Sequence, residues 1–172
     1  LPGCCACITA LTLSGLPTRR FCFEGFLPTD KKEKAFVLEE LARETRTMIL
    51  YEAPHHLKRT LSELLEVLGE RRITLCRELT KKFETIMPTT LGGAADYYEE
   101  NDPKGEYVLV IEGKSRKEIE EEQQKSWESM SIEEHMDFYE KQGIDRKSAM
   151  KKVAADRGVG KREIYQALLK DE

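Results

Sequence analysis

The segment Arg77–Glu84 concentrates side chains that could carry acid–base or phosphate chemistry. Its sequence is Arg-Glu-Leu-Thr-Lys-Lys-Phe-Glu, and it directly follows the apolar run 72–76, which is typical of a buried strand. Its carboxylates could take a proton from a hydroxyl group, and its lysines could hold a phosphate or favour a developing alkoxide. The alternative is a solvated loop in which Arg77 and Glu78 form a local ion pair, because charged runs are usually surface.

A second group of candidate residues follows the apolar run 47–51. Tyr51 could line a ligand pocket, or it could belong to the core with its hydroxyl group satisfied. His55 and His56 stand at the predicted start of a helix, where the positive helix end disfavours a charged imidazole. His55 could contact a ligand or act as a polar cap. Adjacent helical residues point in different directions, so we expect no metal ion shared by the two histidines.

The five cysteines do not form a metal-binding or disulfide pattern. Cys4, Cys5 and Cys7 crowd at one end, and no CxxC pair elsewhere could complete a tetrahedral zinc site. We therefore expect free thiols in a reduced, cytosolic protein, without a metal.

The overall composition is that of a folded, mildly acidic protein. The 172 residues suffice for one domain and a small appendage, and 40% of them are hydrophobic. The net charge of -4 argues against general polyanion binding, so a nucleic acid would have to meet local basic patches. No stretch approaches the roughly 20 apolar residues that cross a bilayer, and the first residues do not resemble a secretory signal. Because Leu1-Pro2-Gly3 replaces an initiating Met, we expect part of a longer protein.

Strand and helix patterns alternate through roughly residue 112. The predicted strands are 21–24, 47–51, 72–76 and 106–111, with a further extended piece at 83–87. The predicted helices are 5–13, 30–44, 54–68 and 90–100. This order predicts an α/β sheet with helices on both faces. Ligands of such sheets lie beyond the carboxyl ends of strands, where Tyr51-Glu52 and Arg77-Glu78 are expected. The helix capped by Asp30 is expected to bury Ala35, Phe36, Leu38, Leu41 and Ala42.

The composition changes after residue 113. Residues 114–130 are charged and are expected to form a linker or a solvated helix, whereas residues 131–172 show only helical patterns. The turn Gly158-Val159-Gly160 and the following Lys161-Arg162 resemble a helix-turn-helix. Because residues 131–172 contain 9 basic and 9 acidic side chains, a helical packing module rivals a nucleic-acid reader. We expect three parts: an α/β domain at 1–113, a charged linker at 114–130 and a helical tail module at 131–172.

Several short sequence words follow one another in a fixed order. They are Leu1-Pro2-Gly3, Ala10-Leu11, Ser14-Gly15-Leu16-Pro17, Phe23–Pro28, Tyr51–His55, Arg77–Glu84 and Gly105–Gly113. Together they resemble the ribosomal RNA small subunit methyltransferase I family, a branch of the tetrapyrrole (corrin/porphyrin) methylases. The resemblance covers residues 1–113 closely and the tail more loosely. Cys4 and Cys5 stand where the family usually has Pro and Ser, so a hydroxyl contact at that position would be lost.

The resemblance implies an S-adenosylmethionine-dependent methyltransferase that modifies the ribose 2'-hydroxyl of a cytidine in small-subunit rRNA. It implies a cytoplasmic homodimer whose cofactor lies between two domains, this chain being the carboxy-terminal one, without the Gly-rich cofactor loop. The implied fold is a mixed sheet flanked by helices, followed by a helix-turn-helix-like tail. The implied site residues are catalytic Glu78, Lys81 and Glu84; cofactor-binding Pro2, Gly3, Cys5, Tyr51, Glu52, Ala53, Thr90, Gly105 and Glu106; and substrate-binding His55, Arg77 and Lys82.

Two other functions stay open. One is a methylase of tetrapyrrole macrocycles or other small molecules, against which the Arg77–Glu84 word and the tail both argue. The other is a non-catalytic module for RNA binding or dimerisation. If half of the cofactor site is absent from this chain, it should bind S-adenosylmethionine weakly or not at all and should be inactive alone.

Overall fold

The computed structural model describes residues 3–169, with the backbone alone at 123, 124, 126 and 128. The chain forms two compact units, Leu1–Lys114 and Ser115–Glu172. The first unit contains α1 (Ala6–Leu13), β1 (Phe21–Gly25), α2 (Lys31–Arg43), β2 (Thr47–Glu52), α3 (Pro54–Leu68), β3 (Arg72–Arg77), β4 (Thr85–Thr90), α4 (Leu91–Glu100) and β5 (Tyr107–Ile111). The second contains α5 (Arg116–Glu128), α6 (Ile132–Glu140), α7 (Arg146–Asp156) and α8 (Lys161–Leu168).

The five strands form one mixed sheet in the order β1-β2-β5-β3-β4. β1 and β2 are parallel, and the other three neighbouring pairs are antiparallel. Because β2 and β3 both run antiparallel to the central β5, they run in the same direction and end at the same edge of the sheet. Tyr51 is opposite Val108, and Arg77 is opposite Tyr107, at that edge. The expected mixed sheet flanked by helices is confirmed.

Helices cover the two faces of the sheet unequally. Within the first unit as described, α2, α3 and α4 pack on one face, over Met48, Leu50, Leu75 and Leu109, and α1 packs on the other, over Ile49, Cys76 and Val110. The helix starts follow local rules. Asp30 caps α2 and Thr90 caps α4 through their side chains, and Pro54 opens α3 where its missing N–H costs no hydrogen bond.

The predicted α2 core is wrong at two residues. Leu38 and Leu41 are buried and Ala42 is half-buried, but Ala35 is exposed and the Phe36 side chain is 62% exposed. Phe36 shares the helical pattern but lies beyond the edge of the stripe that faces the sheet, and a pattern of period 3.6 does not determine how wide the covered stripe is.

The second unit is a small helical bundle with its own core. Met136 of α6, Ala149 and Val153 of α7 and Ile164 of α8 form this core. Ser115 and Ser131 each make a full capping box, with Glu118 and Glu134 respectively, and these boxes start α5 and α6. The stretch 114–130, expected to be a linker or a solvated helix, is therefore mostly the helix α5. Across the described residues, no helix is both long and apolar enough to span a membrane.

Candidate functional site

A cleft lies at the edge of the sheet where β2 and β3 end and β5 begins. Its volume is about 320 Å³. The walls are largely apolar and include Leu79 and Val108, whereas carboxylates and one lysine line the polar part. Six residues that the sequence singled out line this cleft: Tyr51, Glu52, Ala53, Glu78, Lys81 and Glu106. The position agrees with the rule that ligands lie beyond the carboxyl ends of strands.

Glu78 connects the loop after β3 to the turn before β5. Its backbone N–H donates to the carbonyl oxygen of Glu106 at 3.0 Å. Its Oε1 accepts the backbone N–H of Glu106 at 2.9 Å and the Nζ of Lys81 at 3.2 Å. The Glu106 N–H and then the Lys81 ammonium hold the pKa of Glu78 below its ordinary value. A carboxylate that stays ionised and is already bonded to two donors is a poor proton acceptor. Glu78 instead holds Lys81 and Glu106 in place, and we call these three residues the clamp.

The same clamp uses both backbone groups of Glu106. The backbone N–H and carbonyl oxygen of Glu106 are both bonded to Glu78, while Glu106 itself lines the cleft. Gly105 has a different role. Its φ is +78°, and a Cβ there would lie 2.6 Å from Cγ of Glu78. Only glycine allows the Glu78 side chain to approach this turn.

Lys81 is the cation that lines the cleft. Its Nζ lies 3.1 Å from Oε2 of Glu106 and 3.2 Å from Oε1 of Glu78. Hydrogen bonds to Glu106 and then to Glu78 raise the pKa of Lys81, so the ammonium stays protonated at neutral pH. The side chain is 53% exposed and is therefore accessible to a ligand. Lys82 points elsewhere, over the ring of Phe83 at 5.6 Å from the ring centroid, and does not line the cleft.

The rest of the segment Arg77–Glu84 is held by internal hydrogen bonds. Oε2 of Glu84 accepts the backbone N–H of Thr80 at 2.6 Å, and Thr80 has a φ of +65°. Arg77 donates from Nη2 to the Phe83 carbonyl oxygen at 3.3 Å and to Oγ1 of Thr85 at 3.0 Å. The alternative of a solvated loop with a local Arg77–Glu78 ion pair is wrong in its pairing, because Glu78 pairs with Lys81. Glu84 stabilises the loop from outside the cleft.

The carboxyl end of β2 supplies an aromatic wall and a fixed carboxylate. Tyr51 packs edge-on against Phe23 and Phe26, with ring centroids 4.9 and 5.7 Å away, and burial raises its pKa. The carboxylate of Glu52 accepts Oγ1 of Thr60 at 2.6 Å and the N–H of Ala53 at 2.8 Å. Glu52 thereby joins the end of β2 to α3, which begins without a side-chain cap, and both of its oxygens are engaged within the protein.

His55 and His56 are exposed at the start of α3, and His55 does not line the cleft. The expectation that they point in different directions is wrong, because their ring centroids are 4.1 Å apart. Within residues 3–169, no group of three or more His, Cys, Asp or Glu side chains could hold a metal ion. All five cysteines are free thiols, and Sγ of Cys5 lies 3.3 Å from Sγ of Cys7.

Four predicted cofactor-binding residues lie outside the cleft lining, namely Gly3, Cys5, Thr90 and Gly105. Thr90 caps α4 and is opposite Arg72, at the end of β3 that is distant from Arg77. The reason is strand direction: β4 runs antiparallel to β3, so its carboxyl end lies at the opposite edge of the sheet. Gly3 and Cys5 precede α1 and are exposed, although the neighbouring Ala6 does line the cleft. Pro2 lies outside the described residues.

Sequence reasoning missed the apolar walls of the cleft. Leu79 lies inside the charged segment, and Phe26 follows β1 in a loop, so no periodic pattern marks either of them. Phe26 is 63% exposed, and its place beside Tyr51 comes from the pairing of β1 with β2. Phe26 belongs to Phe23–Pro28, one of the sequence words that carry the family resemblance, but the resemblance assigned no function to that word.

Comparisons with known proteins show which family this chain resembles. The family model of Tetrapyrrole (Corrin/Porphyrin) Methylases matches residues 1–95. The chain is 46% identical over 167 residues to "Ribosomal RNA small subunit methyltransferase I" of Bacillus subtilis (strain 168), covering 97% of this chain and 57% of that protein. The protein of the same name from Halalkalibacterium halodurans is 46% identical over 165 residues, with 96% and 56% covered.

A solved structure supports the fold. The crystal structure of the methyltransferase CobJ superposes with a TM-score of 0.52 at 22% sequence identity, covering 65% of this chain and 49% of that one. The chain spans a little over half the length of the two relatives from Bacillus and Halalkalibacterium. With the family model over its first 95 residues and 46% identity over nearly its whole length, the chain belongs to the ribosomal RNA small subunit methyltransferase I family within the tetrapyrrole methylases.

Proposed function

We propose that this chain forms the carboxy-terminal part of an S-adenosylmethionine-dependent methyltransferase that modifies the ribose 2'-hydroxyl of a cytidine in small-subunit rRNA. The observation that carries the proposal is the cleft at the ends of β2 and β3, where Lys81 is held between Glu78 and Glu106. The names of relatives 46% identical to this chain support the substrate class. Such a substrate would place the enzyme in the cytoplasm.

The cleft residues fit the chemistry of this cofactor. Apolar walls formed by Tyr51, Leu79 and Val108 suit an adenosyl group, and the carboxylates of Glu78 and Glu106 suit a cationic sulfonium. Its volume, about 320 Å³, is at the small end of the roughly 300–1,000 Å³ range of ligand pockets, as expected if another domain completes the site. When bound, S-adenosylmethionine would supply an already activated methyl group, so the protein's task is alignment and exclusion of water.

The residues of the clamp would have different tasks in this reaction. Lys81 carries a positive charge at the cleft, and a cation beside the ribose hydroxyl would stabilise the developing alkoxide. Glu78 is a positioning residue, because it holds both the Lys81 ammonium and the turn at Glu106. Glu84 positions the loop through Thr80. These assignments move the catalytic role from the predicted trio to Lys81 alone.

Residues around the cleft would contact the RNA rather than the cofactor. The exposed side chains of His55 and Lys82 are available for phosphate or base contacts. Arg77 has its Nη2 bonded inside the loop, so its contribution to RNA binding would be through long-range attraction. Gly3 and Cys5, which precede α1, are proposed to approach the cofactor only where the site is completed by the rest of the enzyme.

We also propose that the enzyme is a homodimer. The face of the sheet that α1 covers leaves four large apolar side chains between 37% and 49% exposed, namely Ile8, Leu13, Phe21 and Phe23. Exposed apolar surface of this kind favours association. Sedimentation velocity of the enzyme should give a dimer that Phe21→Glu and Phe23→Glu together dissociate. A monomer at micromolar concentration would refute this part of the proposal.

The function is tested by methyl transfer. The enzyme that contains this chain is incubated with radiolabelled S-adenosylmethionine and small ribosomal subunits from a strain without the corresponding methylase. Nuclease digestion should release the label as 2'-O-methylcytidine. Label on a base, or transfer to a tetrapyrrole macrocycle but not to RNA, would refute the assignment. In calorimetry, the isolated 172-residue chain should bind S-adenosylmethionine weakly or not at all, and low-micromolar binding would contradict a site shared with another domain.

A further inference from the structure

The charges of the helical unit are segregated along the chain. Residues 132–145 carry five acidic side chains and one basic side chain, whereas residues 146–168 carry seven Lys or Arg against two acidic residues, Asp156 and Glu163. The neutral total of the tail therefore conceals a strongly basic pair of helices, α7 and α8. A basic surface of this kind attracts polyanions even when the whole chain is acidic.

The basic side chains of α7 and α8 converge on one groove. Its lining consists of Arg146, Lys147, Met150, Lys161, Arg162 and Tyr165, and its volume is about 700 Å³. Both helices begin at the groove, but Asp145 caps the start of α7 and Glu163 lies in the first turn of α8, so the attraction for anions comes from the four cationic side chains. The apolar part of the lining comes from Met150 and from Tyr165, which is 53% exposed. The groove thus combines cations with an accessible aromatic ring.

The cations of the groove are available, whereas Arg157 and Lys152 are engaged elsewhere, Lys152 over the ring of Tyr139. Arg157 donates to the carbonyl oxygens of Met130 and Ser131 at 2.6 and 2.9 Å, and thereby ties α7 to the start of α6. In the part of the chain that the structure describes, Lys147, Lys161 and Arg162 have no carboxylate within 4.0 Å. Arg146 has one long contact of 3.9 Å, to Oε1 of Glu140.

The groove is held in shape by the core beneath it. Ala149 and Val153 of α7 pack against Ile164 of α8, and all three side chains are fully buried. Gly158, with a φ of +62°, makes the tight turn between the two helices. The four cations therefore project from two helices of fixed relative position, so that a bound ligand does not have to order this surface.

We infer that this groove binds a single-stranded segment of RNA, with phosphates against the four cations and one unstacked base against Tyr165. Cationic grooves with accessible aromatic rings are the usual means by which proteins hold single strands, because phosphates and base faces are recognised together. An acidic protein surface would form ion pairs with the cations but would place no base on the Tyr165 ring. The inference rests on the proposed function in taking rRNA as the RNA, but it concerns a surface outside the cleft.

A binding measurement on the 172-residue chain tests the inference. The probe is a fluorescently labelled 12-nucleotide single-stranded RNA, and anisotropy gives Kd at several salt concentrations. Lys147→Glu combined with Arg162→Glu should weaken binding at least tenfold at low salt. Loss of two phosphate contacts should also reduce the slope of log Kd against log salt by about 1.4. Circular dichroism checks that the variants remain folded.

The chain offers a matched control in α2. Lys32 and Lys147 are each the second residue of a helix, and the backbone N–H of each donates to an N-cap aspartate, Asp30 at 3.0 Å and Asp145 at 3.1 Å. Lys32→Glu is compared with Lys147→Glu alone, which should weaken binding at least about fivefold. The two single variants make the same charge change at the same helical position, one outside the groove and one inside it. Lys32→Glu should leave Kd within about twofold, as expected for an exposed charge that does not line the groove. An equal loss in both variants would show only a general charge effect and would overturn the inference.

Substitutions of Tyr165 distinguish the contribution of base stacking from that of charge attraction. Tyr165→Ala should weaken single-stranded RNA binding by about fivefold or more, whereas Tyr165→Phe should retain most of the affinity. Neither change should affect double-stranded RNA of the same length, whose bases are not available for stacking. If Tyr165→Ala has no effect on single strands, or if polyglutamate of matched charge competes as well as RNA does, the groove is not an RNA site.

The groove inference and the proposed function can fail independently of each other. If the enzyme fails to methylate rRNA but the groove variants lose RNA affinity, the proposed function falls and the groove stands. If the enzyme methylates small subunits and the groove variants leave both RNA affinity and the Michaelis constant for subunits unchanged, the groove inference falls alone. The expected result for the groove variants is a raised Michaelis constant with an unchanged maximal rate.

Discussion

Oε1 of Glu78 accepts the backbone N–H of Glu106 at 2.9 Å, and the Glu106 carbonyl oxygen accepts the backbone N–H of Glu78 at 3.0 Å. Two segments 28 residues apart in sequence are thus joined twice at the mouth of the cleft. The arrangement fixes the turn before β5 and places Lys81 between two carboxylates. The geometry of the polar side of the cleft therefore depends on how closely Glu78 can approach Gly105.

Replacing Gly105 should test this dependence. Gly105→Ala would force a side chain into the left-handed region and place its Cβ 2.6 Å from Cγ of Glu78. We expect a loss of about 2–3 kcal/mol in the free energy of unfolding, measured by urea denaturation. Gly15→Ala is the control, because Gly15 also has a positive φ, +69°, but no atom within 4 Å of its ideal Cβ. That variant should lose only about 1 kcal/mol. Equal losses would mean that Glu78 does not restrict the turn.

Lys81 and Lys82 should differ in catalysis although they are adjacent. Lys81→Ala should lower the maximal rate of rRNA methylation by about 10²-fold, because it removes the cation at the cleft. Lys82→Ala should change the maximal rate by less than about twofold and should mainly raise the Michaelis constant for subunits. Both lysines are exposed, so melting temperatures should change little. Similar rate losses in the two variants would refute the assignment of Lys81.

Glu44 should make the first unit sensitive to acid. Hydrogen bonding to the Arg46 guanidinium, together with the N–H groups of Arg46 and Thr45, lowers the pKa of Glu44 from 4.5 to about 2. The folded-state pKa is below the unfolded one, so the stabilisation is complete above pH 4.5 and disappears as the pH falls towards 2. Because the Arg46 side chain is 40% exposed, we expect only about 1–2 kcal/mol.

A comparison of two variants isolates this effect. Glu44→Gln should lose that stability at pH 7 and should show a flatter decline between pH 4.5 and 2. Glu39→Gln is the control, since Glu39 also pairs with an arginine, Arg43, but both side chains are more than two-thirds exposed. It should stay within about 0.5 kcal/mol of the parent at every pH. The expectation fails if both variants follow the same acid profile.

His135 should make the second unit sensitive to mild acid. Its side chain is fully buried, with Arg157 Nε at 3.2 Å from Nδ1 and Asp156 Oδ2 at 3.3 Å from Nε2. Burial and then the Arg157 charge lower the pKa of His135, while Asp156 acts against them. The unfolded chain therefore binds a proton below about pH 6.5 that the folded chain excludes, and stability falls as the pH drops through that region.

A single tryptophan reports this transition. Trp127 is the one tryptophan of the sequence and stacks on the His135 ring at 4.1 Å. Its fluorescence should follow unfolding of the helical unit, with a midpoint in urea that declines between pH 6.5 and 5. His135→Gln keeps an acceptor for Arg157 but cannot be protonated, so this decline should be absent. A decline of unchanged size in the variant would assign the pH dependence to other groups.

Much of the fold follows from local chemistry that the sequence displays. Asp30 and Ser131 cap helices because their side-chain oxygens satisfy free N–H groups at the helix start, and the sequence places them where the helical pattern begins. Tyr107–Ile111 is apolar throughout and became the fully buried central strand β5. The caps and the central strand depend on neighbours within a few residues, which is why the sequence displays them.

The division of tasks within the site was decided by the tertiary structure. The sequence shows Glu78, Lys81 and Glu84 as equivalent candidates, but contacts with Glu106 and Thr80 make the first a clamp and the last a loop support. Thr90 is excluded from the cleft by the direction of β4, which no local pattern encodes.

The distribution of charge in the tail was likewise decided by the tertiary structure. Its balanced count is a property of the sequence, whereas the basic groove between α7 and α8 exists because packing of Ile164 on Val153 brings two helix starts together. Composition and periodicity predicted the elements of this protein, and the ordered sequence words indicated its family. Strand direction and long-range contacts determined which side chains meet, because both depend on how distant segments pack.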